Sequence, residues 1–201
     1  MHDNDEKAIA EYHLKRQKYI DLGFNQYETM EYLVNLMKPI EGTILEVGTG
    51  RGLTAITIAR HATLTTVDID AEAIDFAQKL AESEGLSNRI EFIERDIISD
   101  PFSADSFDYV FSTIAFHHYD DPVKMINLLC SITRKKLLVA DFNENGFNIV
   151  DKMHKNEGQE EHGRGKSEIS VAEDVMHQNG FTVERFENDV VITYIGTKLS
   201  L

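Results

Sequence analysis

Cysteine is almost absent from this chain: Cys130 is the only one in 201 residues. One thiol excludes an internal disulfide framework and a thiolate metal cluster. Its expected place is as a small buried side chain in a helix. Basic residues are also scarce, with 20 Lys and Arg against 35 Asp and Glu and a formal net charge of -15. Such a surface repels polyanions, and no Lys/Arg-rich run interrupts it, so no nucleic-acid partner is expected. Long apolar runs are missing too. No stretch approaches the ~20 apolar residues of a membrane span, and the opening Met-His-Asp-Asn-Asp-Glu-Lys has no apolar signal core. A cytoplasmic location is the expectation. No internal repeat or low-complexity segment is seen. What is present, a hydrophobic content of 42%, suffices for one domain with a full core.

The spacing of apolar residues predicts two helices over 1–38, with Gly23 between them and Pro39 as the stop. From residue 43 strand and helix alternate. Strands are expected at 43–47, 64–68, 90–94, 107–112 and 136–142, and helices at 54–60, 71–84 and 122–132, with Asp70 as an N-cap and Gly85 as a C-cap. This rhythm implies a parallel sheet with helices on both faces. The tail differs: a helix over 167–179 precedes strands at 181–186 and 190–195. Their joint, Glu187-Asn188-Asp189, is too short for a crossover and demands an antiparallel hairpin. The expected fold is therefore α/β and Rossmann-like, a seven-stranded, mostly parallel sheet ending in an antiparallel hairpin. As a single domain 1–201, it divides into an N-terminal helical cap (1–38), a cofactor-binding core (40–142), an insertion or lid (143–166) and a final helix with hairpin (167–201).

The principal motif is Leu45-Glu46-Val47-Gly48-Thr49-Gly50-Arg51-Gly52, between the first strand and the next helix. Glycines there allow a tight turn and close approach of a ligand to the main chain, and the helix N-terminus beyond favours an anionic group. A dinucleotide fingerprint starting at Gly48 needs a third glycine at 53, which is Leu53, so the pattern is G-x-G-x-G instead. A P-loop ending at Gly165-Lys166-Ser167 fails because its first glycine would fall on Glu160. Asp68 ends the second strand, where a carboxylate can accept from both ribose hydroxyls of an adenosine. Asp70 is the better helix cap, which leaves Asp68 for ligand. Asp96 follows the third strand: it either accepts from an adenine amino group, with Ile97 on the ring face, or merely holds a solvated turn.

These residues, with Phe107-Asp108-Tyr109-Val110-Phe111-Ser112 and His117-His118, resemble the class I S-adenosylmethionine-dependent methyltransferases over roughly 40–142. They are most similar to the small-molecule, ubiquinone/menaquinone-methyltransferase-like group. The resemblance implies S-adenosyl-L-methionine as cofactor and a small-molecule substrate. It implies that Glu46 and the loop residues Gly48, Thr49, Gly50 and Gly52 hold the methionine end. Asp68 with Ile69 would then bind ribose, Asp96 and Ile97 adenine, and Ser112-Thr113 would line the passage to the methyl group. The usual Pro-Gly-Gly turn before the fifth strand is replaced by Thr133-Arg134-Lys135-Lys136, and 143–166 matches no pattern of the family.

Methyl transfer from a sulfonium needs a base only if the acceptor must lose a proton. His117 and His118, at the carboxyl edge of the sheet, offer either such a base or a structural cap for the following loop. A helix over Phe147–Glu161 would put Asp151, His154, Glu157 and Glu161 on one face, near His162. That face is open to two readings, a divalent-metal site or a hydrated acidic lid. His118 and His154 are the candidate catalytic residues; a metal and the oligomeric state stay open. The alternative to an enzyme is a catalytically inactive module that binds the cofactor as a sensor or partner subunit.

Overall fold

The computed structural model describes residues 3–158 and 169–199. Helices α1 (Asp3–Asp21) and α2 (Gln26–Leu36) come first. The repeat then runs β1 (Ile44–Val47), α3 (Leu53–Ala59), β2 (Leu64–Asp68), α4 (Ala71–Ser83), β3 (Ile90–Glu94), β4 (Phe107–Thr113), α5 (Pro122–Ile132) and β5 (Thr133–Phe142). Helices α6 (Glu144–Asn156) and α7 (Val171–Gln178) follow, then β6 (Phe181–Glu187) and β7 (Val191–Lys198). The seven strands lie in the order β3-β2-β1-β4-β5-β7-β6. β1 to β5 are parallel, and β7 runs antiparallel to both β5 and β6. The strand order reverses between β1 and β4, which opens a crevice at their carboxyl ends.

Alternation along the strands feeds two cores. Ile44, Tyr109, Phe111, Leu138 and Ala140 pack with α1, α2, α3, α4 and α6. Their neighbours Leu45, Val110, Leu137 and Val139 pack with α5 and α7 on the other face. Cys130 is buried in α5 as expected, and burial pushes its thiol up to about 12. The cap signals hold: Asp70 accepts from the N–H of Glu72 and Ala73, and Gly85 closes the helix region at φ +70°. No helix among the described residues is long and apolar enough to cross a membrane.

Three expectations shift. β5 begins at Thr133 rather than 136: Thr133 is fully buried, while Arg134 and Lys135 reach Asp108 at 3.0 and 3.3 Å. The described part of the last helix begins at Val171, and residues 167–168 lie outside the description. The helix expected from Phe147 starts at Glu144, because Asn143 accepts from the Gly146 N–H as its cap. Its Ile149, Val150 and Met153 are buried in the same core as α1 and α2. Residues 144–156 of this segment are thus packed into the domain, and 159–166 lie outside the described residues.

Candidate active site

The glycine loop is held mainly by its own backbone. The N–H groups of Gly48 and Thr49 both donate to the Val67 carbonyl, at 2.9 and 3.2 Å, and Gly52 N–H donates to Thr49 at 2.8 Å. Gly52, at φ +82°, caps α3, and a Cβ there would stand 2.9 Å from Ala77 Cβ. Its task is close packing of α3 on α4. Thr49 turns its hydroxyl inward, 2.6 Å from that of Thr66, which in turn donates to Glu46 Oε2 at 2.6 Å. Glu46 is fully buried. Its other oxygen, Oε1, makes no well-formed hydrogen bond, although Thr54 and the Ala55 N–H stand near enough to favour the charged form. Burial outweighs these donors and raises the carboxyl to about 8.

A cavity of 340 Å³ opens outside the ends of β1, β2 and β3, lined by Gly48, Asp68, Ile69, Asp96, Ile97 and His118 among others. Asp68 is not left free by its neighbour's capping role. It accepts from Gly50 N–H at 2.8 Å and from Asp70 N–H at 3.0 Å, so it ties the loop to β2. Asp96 accepts from Ile98 N–H at 2.9 Å, and that bond, with Ser99, holds its carboxyl below the usual range. A carboxylate has about four acceptor positions, so both keep capacity for a ligand. Ile69 is 69% exposed and Ile98 43% exposed, whereas Ile97 is 4% exposed. All three line the cavity, an apolar slot suited to a flat ring.

A second cavity, of 190 Å³, lies on the far side of Gly48, lined by Arg16, Gln26, Thr49, Arg51, Thr113 and Ile114 among others. Thr113 pairs with Thr54 at 2.7 Å; Ser112 is fully buried, 3.5 Å from the Tyr119 hydroxyl. Ile114 has φ +53°, a left-handed conformation unusual for a β-branched residue, and its N–H donates to Ala140 at 2.7 Å. This turn sends residues 115–119 back across the crevice. A larger open groove of 700 Å³ between α1 and α4 touches Gly50 from outside. Its Lys79 is already paired with Asp5 and Asp75, at 2.9 and 2.8 Å.

The two adjacent histidines separate. His117 is drawn inward by Asp141, which accepts from its backbone N–H at 2.7 Å and from Nδ1 at 2.8 Å. Phe142 and Phe147 flank the ring, each with a centroid 5.7 Å away. His118 stays at the cavity rim, and loss of water on its packed side, then the neighbouring His117, push its pKa below the ordinary imidazole value. His154 is half-buried on α6 and lines neither cavity. Glu157, proposed to share its face, instead turns to α1 and pairs with Lys15 and Lys18 at 2.8 and 3.6 Å. Among the described residues no group of three His, Cys, Asp or Glu side chains could hold a metal. Glu161 and His162 lie outside the described residues. Asp141, Tyr119 and Arg16 were missed by sequence reasoning. Only Asp141 carried a signal, as a carboxylate beside the end of an apolar strand.

An open sheet of this order, with a glycine loop after β1 and carboxylates after β2 and β3, is the fold this chain shares with solved methyltransferase structures. Residues 44–136 match the family described as "Methyltransferase domain". Demethylmenaquinone methyltransferase of Porphyromonas gingivalis is 41% identical over 78 residues, 37% of this chain and 31% of that protein. Release factor glutamine methyltransferase of Chlorobaculum tepidum is 44% identical over 64 residues, 30% of this chain and 22% of that protein. The matches thus span less than a third of these curated relatives. Among solved structures, the YcgJ protein of Bacillus subtilis shares the fold with a TM-score of 0.68 at 17% identity, over 86% of this chain and 99% of that one. Magnesium protoporphyrin IX methyltransferase of Synechocystis, solved with bound SAH, gives 0.62 at 18% identity, over 86% and 80%.

Proposed function

We propose that this chain binds S-adenosylmethionine along the carboxyl edge of the sheet and passes its methyl group, by in-line displacement, to a small-molecule acceptor. One observation carries the reading: the two cavities meet at Gly48, one with a nucleoside's complement and the other walled by the N-terminal helices. The residues present fit the cofactor. Asp68 offers acceptors to ribose hydroxyls, and Asp96 does so to an adenine amino group between Ile69 and Ile97. Beyond them the unbonded Oε1 of Glu46 suits a cationic amino group. A Cβ on Gly48 would stand 3.1 Å from Ala115 Cβ, so glycine keeps the passage between the cavities open.

When bound, the cofactor supplies an activated methyl group on a positively charged sulfur that leaves as a neutral thioether. The chain's own part is to position the reactants and exclude water. Arg16, Gln26 and Met30 roof the second cavity, which is small enough to favour a compact acceptor. His118, neutral at pH 7 by its lowered pKa, accepts a proton from an acceptor that must lose one. Calorimetry with S-adenosylmethionine, S-adenosylhomocysteine, NAD and ATP tests the reading. The first two bind, and NAD and ATP do so far more weakly; tighter binding of NAD overturns it.

A further inference from the structure

Arg16 is the unusual cation of this chain. Among the described residues Arg60, Arg95, Arg134 and Arg185 each reach a carboxylate, at 3.3, 2.9, 3.0 and 2.5 Å. Arg16, Arg51 and Arg89 reach none, in a chain with 35 acidic residues, and Arg89 is spent on the Ala59 carbonyl at 2.7 Å. Arg16 is half-buried, its guanidinium lies 4.4 Å from the Tyr12 ring centroid, and it donates through Nη1 to the buried Gln26. Its buried Nε makes no well-formed hydrogen bond, nor does the hydroxyl of Tyr12, a residue 7% exposed, although Arg16 stands near enough to that hydroxyl to favour its charged form. Arg51, resting on the Phe76 ring at 4.5 Å, is close enough for both guanidinium charges to act on Tyr12. Both arginines border the 190 Å³ cavity beside Gly48, Thr49 and Gly50.

A desolvated guanidinium without a counter-ion is costly unless an anion completes it, and its fork matches a carboxylate. We infer that Arg16, assisted by Arg51, is the seat of a ligand carboxylate in this 190 Å³ cavity. The inference rests on the cofactor reading above. The carboxylate has two available sources, the amino-acid end of the cofactor and an acid group on the acceptor. Either way, the N-terminal cap contributes a binding residue.

The test compares S-adenosylhomocysteine, which carries the carboxylate, with 5'-methylthioadenosine, which does not, on wild type, Arg16→Gln and Arg16→Lys. If the cofactor is the source, Arg16→Gln weakens S-adenosylhomocysteine at least tenfold and leaves 5'-methylthioadenosine unchanged, which also shows that the variant folds. Arg16→Lys, which keeps the charge, recovers part of the loss. If the acceptor is the source, both nucleosides bind equally to all three proteins. Succinate then raises the melting temperature of the S-adenosylhomocysteine-loaded wild type but not of loaded Arg16→Gln. Absence of both effects overturns the inference. Failure of wild type to bind either nucleoside overturns the cofactor reading instead.

Discussion

The ends of β1 and β5 each bury a carboxylate, Glu46 at 0% and Asp141 at 1% exposed, and treat it in opposite ways. Asp141 receives three hydrogen bonds, from the backbone and ring of His117 and from the Phe142 N–H. Glu46 receives one well-formed bond, from Thr66, and keeps an oxygen without a partner. Equal burial therefore has unequal consequences. Asp141 is a finished junction that fixes the returning 114–119 segment to β5. Glu46 is an incomplete one, which holds its proton until something cationic arrives. What distinguishes the two acids is the number of donors around each, not its depth.

The comparison breaks first at Asp141. Asp141→Ala leaves the His117 N–H and ring without their acceptor inside the core, a loss of about 3–5 kcal/mol, read as a lowered urea midpoint with an unchanged slope. A loss under about 1 kcal/mol would contradict the junction. Asp68 lies between the two extremes, half-buried with two backbone donors. Asp68→Ala removes acceptors from both loop and ligand. Calorimetry should show S-adenosylhomocysteine affinity falling at least tenfold, or about 1.4 kcal/mol, while an unchanged dissociation constant would make Asp68 purely structural.

The effect of Glu46→Gln depends on pH and vanishes in mild acid. Burial pushes the Glu46 carboxyl up to about 8, against 4.5 for an ordinary glutamate. Between those values the folded chain holds a proton that the unfolded chain has lost, so stability falls as pH rises through that window. Glutamine mimics the protonated acid. The variant should match wild type near pH 4.5 and exceed it increasingly toward pH 8, as followed by thermal melts without ligand. Parallel wild-type and variant curves would show that Glu46 is ionised in the empty fold.

Much of this architecture could be read locally. The alternation of strands and helices, the Asp70 cap and the glycine loop all depend on neighbours within a few residues, and so did the positions of Asp68 and Asp96. What escaped was contact across distance. His117 and Asp141 are 24 residues apart and meet only because β4 and β5 are adjacent. Glu157 finds Lys15 across 142 residues, so the helical face that suggested a metal site was divided between solvent and α1. Arg16 belongs to a helix whose pattern spoke only of packing; its exposure to the cleft depends on where α1 docks. The roles inside the loop were also hidden. Of its glycines, Gly52 answers to Ala77 on another helix, and spacing cannot separate that from ligand contact.

The N-terminal helices that wall the second cavity are braced from behind by a distant stretch of the chain. Phe24 meets Phe142 with ring centroids 5.6 Å apart, and Lys15 grips Glu157, so α1, α2 and α6 form one block although the matched domain, 44–136, separates them in sequence. Recombination therefore acts unevenly on this protein. A contiguous exchange of the central segment would leave this block intact, while an exchange at either end alone would splice mismatched halves of it. A chimera that exchanges residues 3–36 keeps this packing only if 142–157 travel with them.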